Sequence, residues 1–176
     1  AKQTRTSKRM IYYHFSSKEE LYRAVLERCY ADLRRAEAGI DVARMSPEAA
    51  LAALVGITFD YHHENEDFVR LVMNENIHRA DQLKNIDTID VDNRDITQKL
   101  QQIISRGVES GVFRKGIDPI QLHMTISALN FHHVSNRYTF SRLFDCDMKG
   151  SRAVAKRRAI VIETVLAWCR AAPAAG

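Results

Sequence analysis

Cations, aromatic rings and hydroxyl groups are concentrated at the start of this chain. Residues 1–18 contain five lysine and arginine residues and no aspartate or glutamate, whereas the whole chain has a formal net charge of only +4. Guanidinium and ammonium groups donate hydrogen bonds to phosphate oxygens, and tyrosine hydroxyls can do the same. This charge, placed at one end, predicts a surface that meets phosphate groups, as in contact with a nucleic acid.

Helix-start signals divide the same segment into two helices. Ser7 can cap a short helix over residues 8–15, and Ser17 with Glu20 forms a capping box for a helix that begins at Lys18. Two helices joined by a tight turn, with cations on the first, predict a helix-turn-helix. A phosphate partner would explain Lys18, since free N–H groups in a first turn already attract an anion. The alternative is a solvated basic helix end that packs on its neighbour through its tyrosines.

The run Ser-Lys-Arg-Met-Ile-Tyr-Tyr-His-Phe-Ser-Ser-Lys-Glu-Glu-Leu at residues 7–21 closely resembles the recognition-helix signature of the tetracycline-repressor (TetR) family of bacterial transcription regulators. The resemblance implies that residues 8–10 face the major groove, that residues 12–14 and Lys18 contact phosphates or neighbouring bases, and that residues 11 and 15 are core. Arg5 stands where family members usually have glycine, so either the turn differs or Arg5 reaches the DNA backbone. The implied DNA-binding set is Arg5, Ser7, Lys8, Arg9, Met10, Tyr12, Tyr13, His14 and Lys18. The resemblance also implies that the family's first helix and most of its second precede Ala1.

The remainder of the chain predicts helices. Seven glycines and three prolines in 176 residues leave long stretches without a helix breaker. We therefore expect an all-α fold, with a partial helix-turn-helix DNA-binding domain and its connecting helix over residues 1–39 and a helical ligand-binding and dimerisation domain over residues 40–176. The connecting helix is predicted at residues 18–39 and body helices at about 46–63, 65–77, 93–110, 118–131 and 152–171, with residues 80–92 as loop or frayed helix.

The last two predicted helices carry apolar residues on more than one face, so they need burial on both sides. A second copy that packs against residues 119–138 and 152–171 would supply it, and we expect a homodimer. Core packing within one chain is the alternative. The basic residues late in the chain are interpreted as a solvated helix face, and they are Lys156, Arg157, Arg158 and Arg170.

Polar residues interrupt the apolar body helices at two places, near Met73 and near Phe131. A few polar groups in an apolar helical cavity can orient a small ligand, and the resemblance makes such a cavity expected. The alternative for each residue is a buried group satisfied by its neighbours, or a solvent face. The candidate ligand-binding residues are Phe59, His62, Met73, Asn74, His78, Asn130 and Phe131.

Other chemistries find little support in the sequence. Cys29, Cys146 and Cys169 lie far apart without a CxxC pair, which argues against a disulfide framework or zinc knuckle and for a reducing compartment. The histidines lack HxxxH or HExxH spacing, and no GxSxG, P-loop or GxGxxG motif occurs. We therefore expect no enzyme, no metal and no cofactor. No signal peptide or membrane-length apolar run is present, so the cytoplasm is the expected location.

The sequence thus predicts a homodimeric DNA-binding regulator that responds to a small-molecule effector, more often a repressor than an activator, and that binds a palindromic double-stranded operator. The alternative is a helical small-molecule or metal-binding protein whose basic N-terminus is incidental.

Overall fold

The structure is a computed structural model that describes Met10 and residues 13–172, except for the side chains of residues 85 and 87–93. Within these residues it is all-α, as predicted, and an isolated bridge between Phe113 and Arg170 is its sole β-type pairing. The helices are α1 (Lys18–Ala38), α2 (Pro47–Glu64), α3 (Glu66–Ile77), α4 (Asp87–Glu109), α5 (Pro119–Ser135), α6 (Arg137–Phe144) and α7 (Ser151–Cys169), with a 3₁₀ turn at Leu83–Asn85.

Local capping explains where three of these helices begin. The side chains of Ser17, Ser46 and Asp118 accept hydrogen bonds from backbone N–H groups three residues ahead, at 3.0, 3.2 and 2.8 Å. Each bond satisfies one of the free donors of a first helical turn. The capping box is completed by Glu20, whose Oε2 accepts from the N–H of Ser16 at 2.6 Å.

Helix α2 forms the centre of the body and packs against α1, α4, α5 and α7. Its Leu51, Leu54, Val55 and Phe59 are buried in one apolar cluster with residues from the other helices. A helix that is apolar nearly all round needs such complete burial. The other members of this cluster include Leu100, Ile103, Leu122, Ile126, Val161 and Val165.

A buried polar group ties the end of α1 to this body. Glu37 is only 2% exposed; it pairs with Arg34, and its Oε1 accepts from the hydroxyl of Thr58 at 3.0 Å. Lys99 on α4 donates to the backbone oxygen of Glu37 at 2.7 Å. Buried charges are tolerated when they are paired and hydrogen-bonded, so this group fixes the connecting helix against α2 and α4.

The turn after α4 joins that helix to the end of α7. Gly111 has φ +73°, a conformation that costs glycine little, and the chain then turns back. Phe113 is buried against Gly107, the N–H of Arg114 donates to the oxygen of Cys169 at 2.8 Å, and the N–H of Ala171 donates to the oxygen of Val112 at 3.0 Å.

Three details differ from the sequence prediction. Helix α4 begins at Asp87 rather than near residue 93, so residues 87–92 are helical and not loop. Helix α6 was not predicted, and α5 continues to Ser135.

The basic residues of α7 are also more than a solvated face. Arg158 is half-buried, and its Nε donates to the carboxylate of Asp60 at 2.8 and 3.0 Å. Its guanidinium lies over Gly56, where a β-carbon would come within 2.4 Å of it. Arg170 pairs with Glu48 at 2.9 Å. These two arginines hold α7 to α2.

Candidate nucleic-acid interface

The described part of the predicted reading helix is exposed. Met10 is 48% and Tyr13 is 81% exposed, and the ring of His14, also exposed, meets that of Tyr13 edge-on with centroids 5.4 Å apart. Phe15, predicted as core, is half-buried. An outward tyrosine hydroxyl is placed to donate to a phosphate oxygen, as a DNA-reading surface would use it. The predictions for Arg5, Ser7, Lys8, Arg9, Ile11 and Tyr12 lie outside the described residues.

The first turn of α1 carries charges of both signs. Lys18 is exposed, so its ammonium group is open to contact. The pKa of the neighbouring Glu19 is lowered by hydrogen bonds from the backbone N–H of Glu19 itself and from the side chain of Ser17. This carboxylate is therefore ionised at neutral pH. Acidic side chains in a first helical turn are stabilised by the helix dipole, and their negative charge offsets that of Lys18. The positive potential of this end therefore depends on the cations that precede α1 in the sequence as well as on Lys18.

A cavity of about 330 Å³ opens beside this turn, between α1 and the end of α3. Lys18, Tyr22, Asn74 and His78 are among the residues that line it. The amide nitrogen of Asn74 donates to the hydroxyl of Tyr22 at 2.9 Å. Two predicted ligand residues, Asn74 and His78, thus lie next to the DNA-reading end instead of inside the body. The third residue of that group, Met73, is exposed on the adjacent surface of α3.

Four other predicted ligand residues lie together in the body interior. His62 is buried and hydrogen-bonds through Nδ1 to the oxygen of Thr58 at 2.8 Å, and the ring of Phe131 meets it edge-on at 6.0 Å. Burial lowers the pKa of His62 to about 4, so the ring is neutral at pH 7. Asn130 is fully buried; its amide nitrogen donates to Val55 at 3.3 Å, and its Oδ1 has no partner among the described residues.

Phe59 joins this interior group to a further residue of α5. Its ring stacks on that of His133 with centroids 5.2 Å apart and an angle of 24°. Burial lowers the pKa of His133, and also that of His123, to about 4. Glu37 and Thr58, which close the group at the α1 end, gave no sequence signal, because their contact joins residues 21 positions apart.

The predicted dimer helices α5 and α7 keep large apolar residues on the surface. Ile120 and Met124 on α5 are exposed, and Ile160 and Trp168 on α7 are 40% and 42% exposed. Spacings of four and eight residues place each pair along one side of its helix. Core packing alone therefore accounts for one face of each helix and leaves the other uncovered.

The described residues contain no group of three or more His, Cys, Asp or Glu side chains placed to hold a metal ion. Among the same residues, no helix combines the length and apolar character that crossing a membrane requires.

Comparison with known proteins gives concordant matches at both ends of the chain. Residues 47–165 match the family model described as tetracyclin repressor-like, C-terminal domain, and residues 1–25 match that of the bacterial regulatory proteins, tetR family. The HTH-type transcriptional repressor NicS of Pseudomonas putida is 32% identical over 151 residues, which are 86% of this chain and 71% of that protein.

Solved structures resemble the fold. A bacterial regulatory protein in the tetR family from Rhodococcus RHA1 superposes with a TM-score of 0.74 at 20% identity, over 98% of this chain and 85% of the other. The ketosteroid transcriptional regulator KstR2 of Mycobacterium tuberculosis does so with a TM-score of 0.71 at 17% identity, over 98% and 83%. At these identities the likeness concerns the fold alone.

Proposed function

The chain belongs to the tetracycline-repressor (TetR) family of transcriptional regulators, and from that premise we propose that it is a homodimeric, ligand-responsive repressor of a palindromic operator. It is a DNA-binding regulator and not an enzyme, because the family is a class of regulators. We place it in the cytoplasm, where bacterial DNA is found. The division into a DNA-binding domain over residues 1–39 and a ligand-binding and dimerisation domain over residues 40–176 is part of the proposal.

The observation that carries the proposal is the outward Tyr13 beside the capped start of α1, within the segment that matches the DNA-binding family model. In the proposed complex, residues 8–14 enter the major groove and Lys18 contacts a phosphate. A two-fold dimer addresses half-sites about 34–36 Å apart or a multiple of that distance. The operator is then palindromic because the protein is symmetric.

The dimer is proposed to form through α5 and α7. The support is the uncovered apolar side of each helix, which includes Met124 on α5 and Ile160 on α7. Packing two such pairs of helices buries all four apolar sides in one bundle. The same symmetry fixes the distance between the two reading helices.

Ligand response is proposed to act through α1. This helix is held at one end by the hydrogen bond between Tyr22 and Asn74 and at the other by the Glu37 group. An effector that binds one position of α1 better than another shifts the population of the two, and with it the distance between the reading helices. The proposed effector contacts remain Phe59, His62, Asn130 and Phe131 inside the body, with Met73, Asn74 and His78 at the end of α3.

Binding to duplex DNA at several salt concentrations tests the regulator proposal. We expect affinity to fall steeply as salt rises, and one operator sequence to compete far better than random DNA. Arg9→Ala should relax the preference at one base position at a cost of roughly 1–3 kcal/mol, whereas Lys18→Ala should weaken all sequences alike. Lys115→Ala, which removes an exposed lysine remote in sequence from the reading segment, is the matched control and should change neither.

Absent or salt-insensitive binding would favour the rival helical ligand-binding protein. If Arg9→Ala and Lys18→Ala both leave operator affinity untouched while the unaltered protein binds, the reading segment has been assigned wrongly.

A further inference from the structure

A second cavity, of about 200 Å³, lies beside the end of α5. It is bordered by the end of α5, by α6, by the loop over residues 145–150 and by the first half of α7. Phe140, Met148 and Ala153 form apolar parts of its wall, and His133 and Arg157 form polar parts. Drug-sized ligands occupy roughly 300–1,000 Å³, so this space suits a smaller molecule, of the size of one ring.

His133, a residue of this wall, has ring nitrogens that lack hydrogen-bond partners among the described residues. The residue is 2% exposed, and neither Nδ1 nor Nε2 has a partner among the described residues. Roughly 90% or more of buried polar groups in proteins are hydrogen-bonded, so two orphaned ring nitrogens require an explanation. The stack on Phe59 holds the ring in place. Because burial keeps the ring neutral at pH 7, it offers one donor and one acceptor.

The charges around His133 are positive. Arg137, Arg157 and two other histidines all disfavour its protonation, after burial itself. Arg137 is buried, lies 3.5 Å from the carboxylate of Glu66 through Nη1, and leaves Nε and Nη2 without partners among the described residues. The acid in the cavity wall, Asp147, already accepts from the N–H groups of Lys149 and Gly150 at 2.8 and 2.9 Å. Arg137 stands behind the wall and not in it, so the unpartnered group of the wall is His133, which lies in a positive field.

We propose that this cavity binds a small organic carboxylate, with its anionic group toward His133 and Arg157 and its apolar body against Phe140 and Met148. An anion supplies an acceptor oxygen to the ring N–H of His133, which has no partner among the described residues, and it forms a charge-assisted bond with Arg157, which is the stronger kind. The apolar body is buried by the side chains of α6 and the following loop. This inference deepens the proposed ligand response. A regulatory role for the carboxylate rests on that proposal, whereas the binding of the carboxylate does not.

Three probes of nearly equal shape test the charge preference. Benzoate, benzamide and benzamidine carry a negative, a neutral and a positive group on the same ring. Thermal unfolding of the full chain without DNA should show a saturable rise in Tm with benzoate and none with the other two at equal ionic strength. Equal effects of benzoate and benzamide, or no saturable effect of benzoate, would overturn the proposal and leave bound water as the partner of His133.

Two variants locate the effect. Arg157→Gln should weaken benzoate binding about tenfold or more, because it removes a charged hydrogen-bond donor. Its control is Lys156→Gln, the same change of charge at an exposed neighbour outside the cavity wall, which should leave binding unchanged. His133→Phe keeps a ring to stack on Phe59 and removes both nitrogens, so it should weaken binding even if the first variant folds poorly. If Lys156→Gln loses as much affinity for benzoate as Arg157→Gln does, the anion does not bind at Arg157. Since no DNA is present, failure of the regulator proposal does not alter these outcomes.

Discussion

Gly107→Ala should destabilise the protein by a predictable amount. Gly107 lies buried in α4, against the ring of Phe113. A β-carbon there would come within 2.0, 2.6 and 2.7 Å of three atoms of that ring. Carbon atoms in contact sit about 3.5–4.0 Å apart, so the methyl group and the ring compete for the same space.

The ring has little room to yield. Phe113 is buried, and its N–H and that of Val112 donate to the oxygen of Gly107 at 2.9 and 3.0 Å. Expelling a buried phenylalanine costs about 3–5 kcal/mol, while alanine regains about 1 kcal/mol of helix propensity over glycine. The net loss is about 2–4 kcal/mol, or roughly 4–16 °C in Tm for a chain of this size. The end of α7 is bonded to residues 112 and 114, so it should loosen as well.

Urea unfolding at fixed protein concentration measures this loss, because the stability of a dimer depends on concentration. Gly39→Ala is the matched control: Gly39 has φ −66°, and its β-carbon would meet the oxygen of Ala36 at an ordinary 3.6 Å. In a Phe113→Ala background Gly107→Ala should cost nothing, since the clash is gone. A cost no greater than that of Gly39→Ala, or one equal in both backgrounds, would refute the steric argument.

Three further predictions concern charge, pH and assembly. Glu37→Gln should cost about 3 kcal/mol of unfolding free energy because it leaves Arg34 buried without its anion, whereas Asp32→Asn, in exposed pairs on the same helix, should cost less than about 1 kcal/mol. His62, His123 and His133 have their pKa lowered from 6.5 to about 4, so the unfolded chain takes up protons that the folded one does not. Urea unfolding should show stability falling from about pH 6.5 toward pH 4, and less so in His133→Phe. Ile160→Asp should convert dimer to monomer in analytical ultracentrifugation, whereas Ile77→Asp, at a more exposed isoleucine outside the proposed interface, should not; an equal loss in both would contradict the assignment of the interface.

Helix boundaries were predictable from the sequence where the signal is local. Ser17, Ser46 and Asp118 each act on an N–H three residues away, so the chain itself contains the whole motif. The start of α4 has no side-chain cap, and its polar beginning resembles a loop. Helix α6 is eight residues long and also lacks a side-chain cap, so neither length nor capping marked it.

The candidate sites depended on which helices meet, and periodicity does not give that. The pattern identified Asn74 and His78 as polar residues among apolar ones, but Tyr22, the partner of Asn74, lies 52 positions away. It likewise gave no reason to join Phe59 to His133, which are 74 positions apart and stack across α2 and α5. A helical face can be predicted from spacing, whereas the residue that it faces follows from tertiary packing.

The two ends of α1 explain how such separate sites could act on one reading helix. A helix of 21 residues is about 30 Å long, so the Glu37 group and Lys18 lie at opposite ends of one element. The body end is fixed by buried charged bonds, while the reading end is held by the neutral bond between Asn74 and Tyr22 and by apolar packing around Leu26, and it borders a cavity. Buried charged bonds resist breaking more than an exposed neutral bond does. In the proposed ligand response we therefore expect the reading end to be displaced first, by a ligand that favours the displaced position by a few kcal/mol.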